Sequence, residues 1–434
     1  MAQNDYHSED VATVLMKLGM ASQVDKWKQY WEEAADTYGT ASMPFLSPDY
    51  VDEQCELLNM ADGLRSQIIS GLEQFDRVPA LRQLLWYCHY YCFRRTPIPA
   101  STPFRQWSAL PYSIDPQAPL FYIYLFLSAV PYTLAMHRQL SIPQGVSIDT
   151  MKDLVVWIKD HRSKTGSWGL DFSQVGWLGL HFTGGLFQIG RLQFQPSDCY
   201  YDIQAYRQET DGGVVILADE NQNFRHDGQK SDTEGTVGAD SWESYVCAGL
   251  DGVTGFPIHP DGYAMNQATF LAADEWKRFL KKGDATVAVH IPGTGPMDFE
   301  ACADSFERAR SFFRTHWPSR QIHAFTCSSW ILDPQFKHCL NPASNIVRFL
   351  REWYLLPAPG TGGTETFRRV FGYRPTESED LSALPRDTSL QRAVADHLRE
   401  GGCWRSHGAL MFPHNMNWGD QVYRPDGWAL PTTL

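Results

Sequence analysis

The chain has 434 residues, of which 43% are apolar and 20% charged, a composition that excludes disordered and fibrous classes and a length that suits two cores. Lys and Arg total 37 against 50 Asp and Glu, a net charge of −13, and a field of that sign opposes binding to the phosphate backbone of nucleic acids. Nine cysteines are scattered without a Cys-x-x-Cys pair, so they read as thiols in a reducing compartment and not as a disulfide framework. Residues 1–10 carry Asp5, Glu9 and Asp10 and no apolar run, which points to a cytoplasmic protein without a secretory signal.

Apolar residues at three- and four-residue spacing dominate the first third. Val11, Val14, Leu15 and Leu18 open one helix that Gly19 can stop. Residues 23–38 place Trp27, Tyr30, Trp31 and Ala34 on one face of a second. The pattern continues over 51–75 and 79–95. Residues 118–136 carry no charge, which reaches the lower length limit for a membrane span; Pro119, Pro131 and three tyrosines fit a buried central helix better. A break at Ile142–Gly145 precedes a helix over 148–161.

Beyond about residue 165, short β-branched and aromatic runs alternate with single helices. Strands are expected at 191–195, 202–207 and 212–217, an irregular insertion at 226–262 and a helix at 273–282. A strand over 285–291 leads through a glycine loop, 293–296, into a helix that carries Phe299, Cys302, Phe306, Ala309 and Phe313 on one face. A strand over 323–332, a helix over 344–353, a strand over 366–372 and a helix over 389–400 complete the pattern. The expected architecture is α+β, with an all-helical N-terminal domain over 1–150 and a mixed β-sheet domain with flanking helices over 151–434.

Three segments can carry chemistry. In Val287–Pro296 the backbone N–H groups of the glycine turn and the helix N-terminus behind them suit an anionic group. The same turn also suits a tight connection, and Asp298 and Glu300 in the first helical turn weigh against an anion. In the second segment, alternation puts Cys327 and Ser329 on one strand face and Ser328 and Trp330 on the other, with Asp333 just beyond. Cys327 or Ser329 with His290 and Asp333 would form a nucleophile, base and acid, or else a buried strand end. Third, Arg191 and Gln193 share a face that opens either to a substrate cleft or to a sheet edge. Cys88 and Cys92 lie one helical turn apart without a second ligand pair, so no metal is expected.

The segment His290-Ile-Pro-Gly293-Thr-Gly295 resembles the acyl-CoA loop of GNAT-like acyltransferases, Gln/Arg-x-x-Gly-x-Gly/Ala, with His at the first position. Together with Gly176-Trp-Leu-Gly-Leu-His-Phe, Gly190-Arg-Leu-Gln-Phe-Gln195 and Cys327-Ser-Ser-Trp-Ile-Leu-Asp-Pro334, it resembles proteins that join a helical N-acyltransferase N-terminal domain to a GNAT-like C-terminal domain. The resemblance implies that strands 285–291 and 323–332 splay apart around the arm of a thioester donor, acyl-CoA or an acyl carrier protein. It implies contacts of Ile291, Gly293, Thr294 and Gly295 with that donor and a basic role for His290. Asn345 and Tyr354 resemble the family's Asn-to-Tyr pattern with a spacing two residues too long, which makes Tyr354 the candidate acid for the leaving thiolate. Arg191, Gln193, Trp330 and Asn345 would meet a small-molecule acceptor. The implied reaction is direct acyl transfer to an amine or hydroxyl; the alternatives on the same scaffold are a hydrolase with water as acceptor and a non-catalytic binding module.

Overall fold

The computed structural model describes residues 8–38, 43–95, 107, 109–110, 120–231, 241–359, 363–376 and 379–424. The chain divides into two compact units, Met1–Ile189 and Gly190–Leu434.

The first unit is helical. Helix α1 (Val11–Lys17) is capped by Asp10, whose carboxylate accepts from the Thr13 N–H, and the chain turns at Gly19 with φ 64°. The helix expected over 23–38 is two, α2 (Val24–Trp27) and α3 (Trp31–Tyr38), because Tyr30 takes the left-handed conformation at φ 61°. Residues 51–75 likewise form α4 (Pro48–Leu57), α5 (Asp62–Gly71) and α6 (Glu73–Arg77), with the first break at Asn59, φ 55°. Helix α7 (Pro79–His89) widens into a π turn at Tyr90–Arg94.

Helix α8 (Phe121–Gln139) buries every residue from Phe121 to Val130. A helix apolar all round belongs in a core, and no helix among the described residues is long and apolar enough to cross a membrane. Ala118 and Pro119 of the uncharged run lie outside the described residues.

Helices α9 (Gln144–Met151), α10 (Asp153–Thr165) and α11 (Val175–Phe182) add Met151, Leu154, Ile158, Val175 and Leu178 to the same core. The division therefore falls at 189/190 and not at 150/151, since the amphipathic pattern of a helix does not say which core it joins. Asp153 ties α10 to α11: its buried carboxylate accepts from the indole N–H groups of Trp157 at 2.9 Å and Trp177 at 3.0 Å and lies 3.3 Å from His181 Nε2.

In the second unit the main sheet uses strands β1 (Leu192–Asp198), β10 (Ala285–His290), β11 (Ala324–Ser329), β13 (His407–Met411) and β12 (Tyr354–Leu356), adjacent in that order. Only β10 and β11 run parallel; the other neighbours are antiparallel. Helix α12 (Phe299–His316) covers one face through edge contacts of Phe306 with Phe194 and Phe325.

Between β1 and β10, residues 199–284 form an insertion of strands. Strands β7 (Tyr263–Ala264), β6 (Pro257–His259), β3 (Val214–Ala218), β2 (Ile203–Gln208) and β9 (Trp276–Lys281) make one antiparallel sheet in that order. Strands β8 (Thr269–Ala272), β5 (Gly252–Gly255) and β4 (Val246–Ala248) make a second. Within the described part of 226–262, residues 242–243, 246–248, 252–255 and 257–259 are strand, so the segment is not irregular throughout.

The helix expected over 273–282 is also strand. Trp276 and Leu280 are its buried residues, four apart like a helical stripe, but a register shift between Arg278 and Leu280 turns them to opposite faces of β9, Trp276 opposite Gln208 and Leu280 opposite Ala205. Conversely, 366–372 is helical, in α14 (Gly363–Phe371), where Glu365 pairs with Arg368 and Arg369 at helical spacing. Helices α13 (Asn345–Arg351) and α15 (Ser389–Arg399) lie where expected, the latter with a Thr388/Gln391 capping box.

Truncating Asp153 to Ala takes the acceptor from two half-buried indole donors, so Asp153→Ala is expected to lose about 1–3 kcal/mol of stability. Urea unfolding followed by tryptophan fluorescence measures this, and an unchanged midpoint would refute the assignment.

Candidate active site

Strand β10 pairs with β1 along its whole length, from Ala285↔Asp198 to His290↔Gln193. Its pairing with β11 covers only Thr286↔Ala324, Val287↔Phe325 and Ala288↔Thr326. Beyond Thr326, β11 follows β13 instead, through Cys327↔Ala409, Ser328↔Gly408 and Ser329↔His407. Two adjacent parallel strands therefore part, with His290 on one limb and Ser328 on the other. Backbone polar groups along such a gap call for an extended partner that bonds as an added strand would.

The register fixes which side chains share this opening. Gln193, Gln195, Ala288, His290, Thr326 and Ser328 point to one face of the sheet. Phe194, Val287, Val289, Phe325 and Cys327 point to the other, beneath α12.

On the first face His290 Nε2 lies 3.0 Å from the amide oxygen of Gln195. Because that oxygen accepts, the ring donates from Nε2 and Nδ1 is the basic nitrogen. On the other limb the Tyr200 hydroxyl lies near the Ser328 side chain and donates to Tyr201 at 2.9 Å, and Tyr201 donates to the Cys327 carbonyl at 2.9 Å. Burial raises the Tyr200 phenol above its ordinary range, although half of the residue is exposed. At the vertex, Thr326 Oγ1 is buried without a hydrogen-bond partner. Gln195, Tyr200, Thr326 and Ser328 escaped the sequence reading; the signal for Ser328 is its parity with Thr326, and Tyr200 is brought there by the turn after β1.

The loop Ile291, Pro292, Gly293, Thr294, Gly295 leaves the same end of β10. A Cβ built on Gly293 or Gly295 would meet nothing within 4 Å; Gly293 has an ordinary backbone conformation, whereas Gly295 at φ 158° has one that L side chains rarely adopt. The chain's own packing therefore does not require glycine at position 293, whereas close approach of a ligand to the backbone does.

Arg191 braces this loop. Its Nε donates to the Pro296 carbonyl at 2.9 Å and its Nη2 to the Gly295 carbonyl at 2.8 Å, so it serves the loop and not the acceptor side. Asp298 caps α12 by accepting from the Ala301 N–H at 2.8 Å. Glu300 pairs with Arg348 at 3.2 Å, which offsets its charge at the helix N-terminus.

Several expected residues stand apart. Cys327 is on the α12 face, and burial pushes its thiol up to about 12, which leaves it unreactive. Ser329 accepts from the Ile331 N–H at 3.4 Å as the cap of a single turn. Asp333 is fully buried and accepts from the Gln335 and Arg405 backbone N–H groups at 3.0 and 2.7 Å. Trp330 packs on Phe336, and Asn345 starts α13 behind the Ser344 cap.

Tyr354 is in the core of β12. It donates to the Ile258 carbonyl and accepts from the Ile216 N–H at 3.4 Å, and burial raises its phenol. It is a structural bolt and not the acid in the opening. Of the expected set, His290 and Gln193 meet on one face, with the glycine loop and Arg191 at the same strand end.

Residues 186–411 match the GNAT-like C-terminal domain and residues 49–184 the N-acyltransferase N-terminal domain. The chain therefore belongs to the two-domain GNAT-like acyltransferase family. Among solved structures it is similar to an acyltransferase in complex with decanoyl-CoA and teicoplanin, at 24% identity and a TM-score of 0.63, over 93% of this chain and 99% of that one. A mutant acyltransferase in complex with octanoyl-CoA matches at 23% identity and 0.63 over the same shares. No curated protein matches the chain.

The side-chain placement predicts thiol reactivity. Brief iodoacetamide treatment of the native protein is expected to alkylate exposed Cys247, Cys339 and Cys403 and to spare Cys327; peptide mass spectrometry showing Cys327 among the first thiols modified would overturn that placement.

Proposed function

We propose that the protein moves an acyl group from a coenzyme A thioester directly to an amine or hydroxyl of a small molecule. The observation that carries this reading is the parting of β10 and β11 after Ala288 and Thr326, with an open glycine loop at the same end. The donor's extended arm takes the place of the missing strand partner, and its anionic end meets the N–H groups of Gly293, Thr294 and Gly295. The complexes of the structural relatives with octanoyl-CoA and decanoyl-CoA support coenzyme A as the carrier.

In the transfer step the acceptor nitrogen or oxygen bonds to the acyl carbon and the carbon–sulfur bond breaks. His290 Nδ1 takes the acceptor's proton, with the ring held by Gln195. The hydroxyls of Ser328 and Tyr200 on the opposite limb supply a proton to the departing thiolate, the role that buried Tyr354 cannot fill. No covalent intermediate is required. Cys327 and Ser329 are committed elsewhere, which supports direct transfer over a covalent route.

Titration calorimetry with coenzyme A and decanoyl-CoA tests the donor site. Gly295→Val is expected to weaken both about tenfold or more, with Tm measured alongside because the φ of 158° disfavours a β-branched side chain although the space is open. Lack of coenzyme A binding by the unaltered protein would reject the proposal.

His290→Ala is expected to keep donor affinity and to lower kcat for thiol release by about 10²–10⁴, read with a thiol reagent in the presence of an acceptor amine. A wild-type rate would remove His290 from the mechanism.

A further inference from the structure

A cavity of about 440 Å³ lies in the second unit at the other end of β10 from the glycine loop. Asp284, which lines it, precedes β10, and Ile291 follows that strand; six residues at about 3.3 Å each separate the two places by roughly 20 Å. The cavity is not part of the opening between β10 and β11.

Its lining gathers five basic side chains, Arg207, Arg278, Lys281, His323 and His414, in a chain whose net charge is −13. The only acid among the lining residues is Asp284, and its carboxylate accepts from the Lys281 backbone N–H at 2.7 Å. Among the described residues no carboxylate lies within ion-pair distance of Arg207, Arg278 or Lys281, whereas neighbouring Lys282 pairs with Asp202.

Arg207 is held in place by neutral groups. Its guanidinium stacks on Phe279 at 4.5 Å, its Nη2 donates to the Asn415 side chain at 3.1 Å, and its Nε is buried without a partner. Burial lowers its pKa below the ordinary arginine range, as expected for a cation that lacks a counter-charge. A positioned guanidinium with unused donors, in a concave site where basic side chains outnumber the one acid, is built to receive an oxyanion.

We propose that this cavity is a second ligand site, which takes a small molecule bearing a phosphate or carboxylate group and uses Arg207 as its anchor. The volume exceeds that of a bare ion and suits a small organic ligand.

Equilibrium dialysis of the full chain against labelled inorganic phosphate and, separately, citrate tests the site. The unaltered protein and Gly295→Val are expected to bind one equivalent, with affinity falling as salt rises. Arg207→Gln and Lys281→Glu are each expected to weaken binding about tenfold or more. Lys281 is exposed, so its charge reversal decides the matter if Arg207→Gln does not fold. Binding of phosphate alone assigns the site to phosphate esters and binding of citrate alone to carboxylates, and either supports the proposal. It is overturned if the unaltered protein binds neither anion, if Lys281→Glu binds like wild type, or if Gly295→Val abolishes binding, since the last outcome assigns the anion to the glycine loop.

Discussion

The second unit is organised by the short pairing between β10 and β11. Three matched residues hold the strands together, and then each follows a different neighbour, β10 with β1 and β11 with β13. The limb of β11 is held away by more than its ladder. Tyr201 donates to the Cys327 carbonyl, and its ring fills the space that a side chain at position 408 would need, 2.6 Å from a Cβ built on Gly408. The β10 limb is kept straight by its full register with β1. An opening made by two rigid limbs does not have to be formed when a ligand arrives, so little ordering entropy is lost on binding.

The insertion between β1 and β10 is built around the same sheet without covering its polar corner. Its five-stranded sheet shares a core with Ala324, Tyr354, Leu356, Leu410 and Phe412 of the main sheet. Tyr354 links the two layers through bonds to Ile258 and Ile216, while Arg424 reaches Asp261 and the Pro260 carbonyl from the other side. Lys337 and Arg424 hold the Asp261 carboxyl at about 2, well below its ordinary range, so this tie stays ionised across the physiological range. These contacts concentrate on the β12 side, whereas Gln195, His290 and Ser328 lie toward β1.

Much of the fold was legible because its signals are local. The helical stripe of Phe299, Phe306 and Phe313 and the compact apolar run of 285–291 each depend on a few adjacent residues. Readings failed where a distant partner decides. Trp276 and Leu280 have the spacing of a helical stripe, but β9 shifts register against β2 and buries them on opposite faces, which only the partner strand reveals. Cys327 and Ser329 do share a face, but the register with β10, and not alternation within β11, tells which face meets His290. Tyr354 follows Asn345 at a spacing only two residues too long, yet the insertion seals it, and an insertion's packing leaves no mark on the spacing of the residues it covers.

The electrostatics of the loop follow from the same geometry. The chain is acidic overall, and Asp298 and Glu300 begin the helix behind the loop, so an anion would meet a repulsive end if those charges were unopposed. They are not: Glu300 is paired with Arg348, and the Asp298 carboxylate is turned to the Ala301 N–H as a cap. Arg191 places a guanidinium directly behind the loop, with two of its nitrogens on the Gly295 and Pro296 carbonyls. Fixing those carbonyls toward Arg191 commits the peptide dipoles of the turn to one direction. The loop thus presents a fixed positive side without a basic side chain in the path of the ligand, and the absence of Cβ atoms at positions 293 and 295 leaves that side open to close approach.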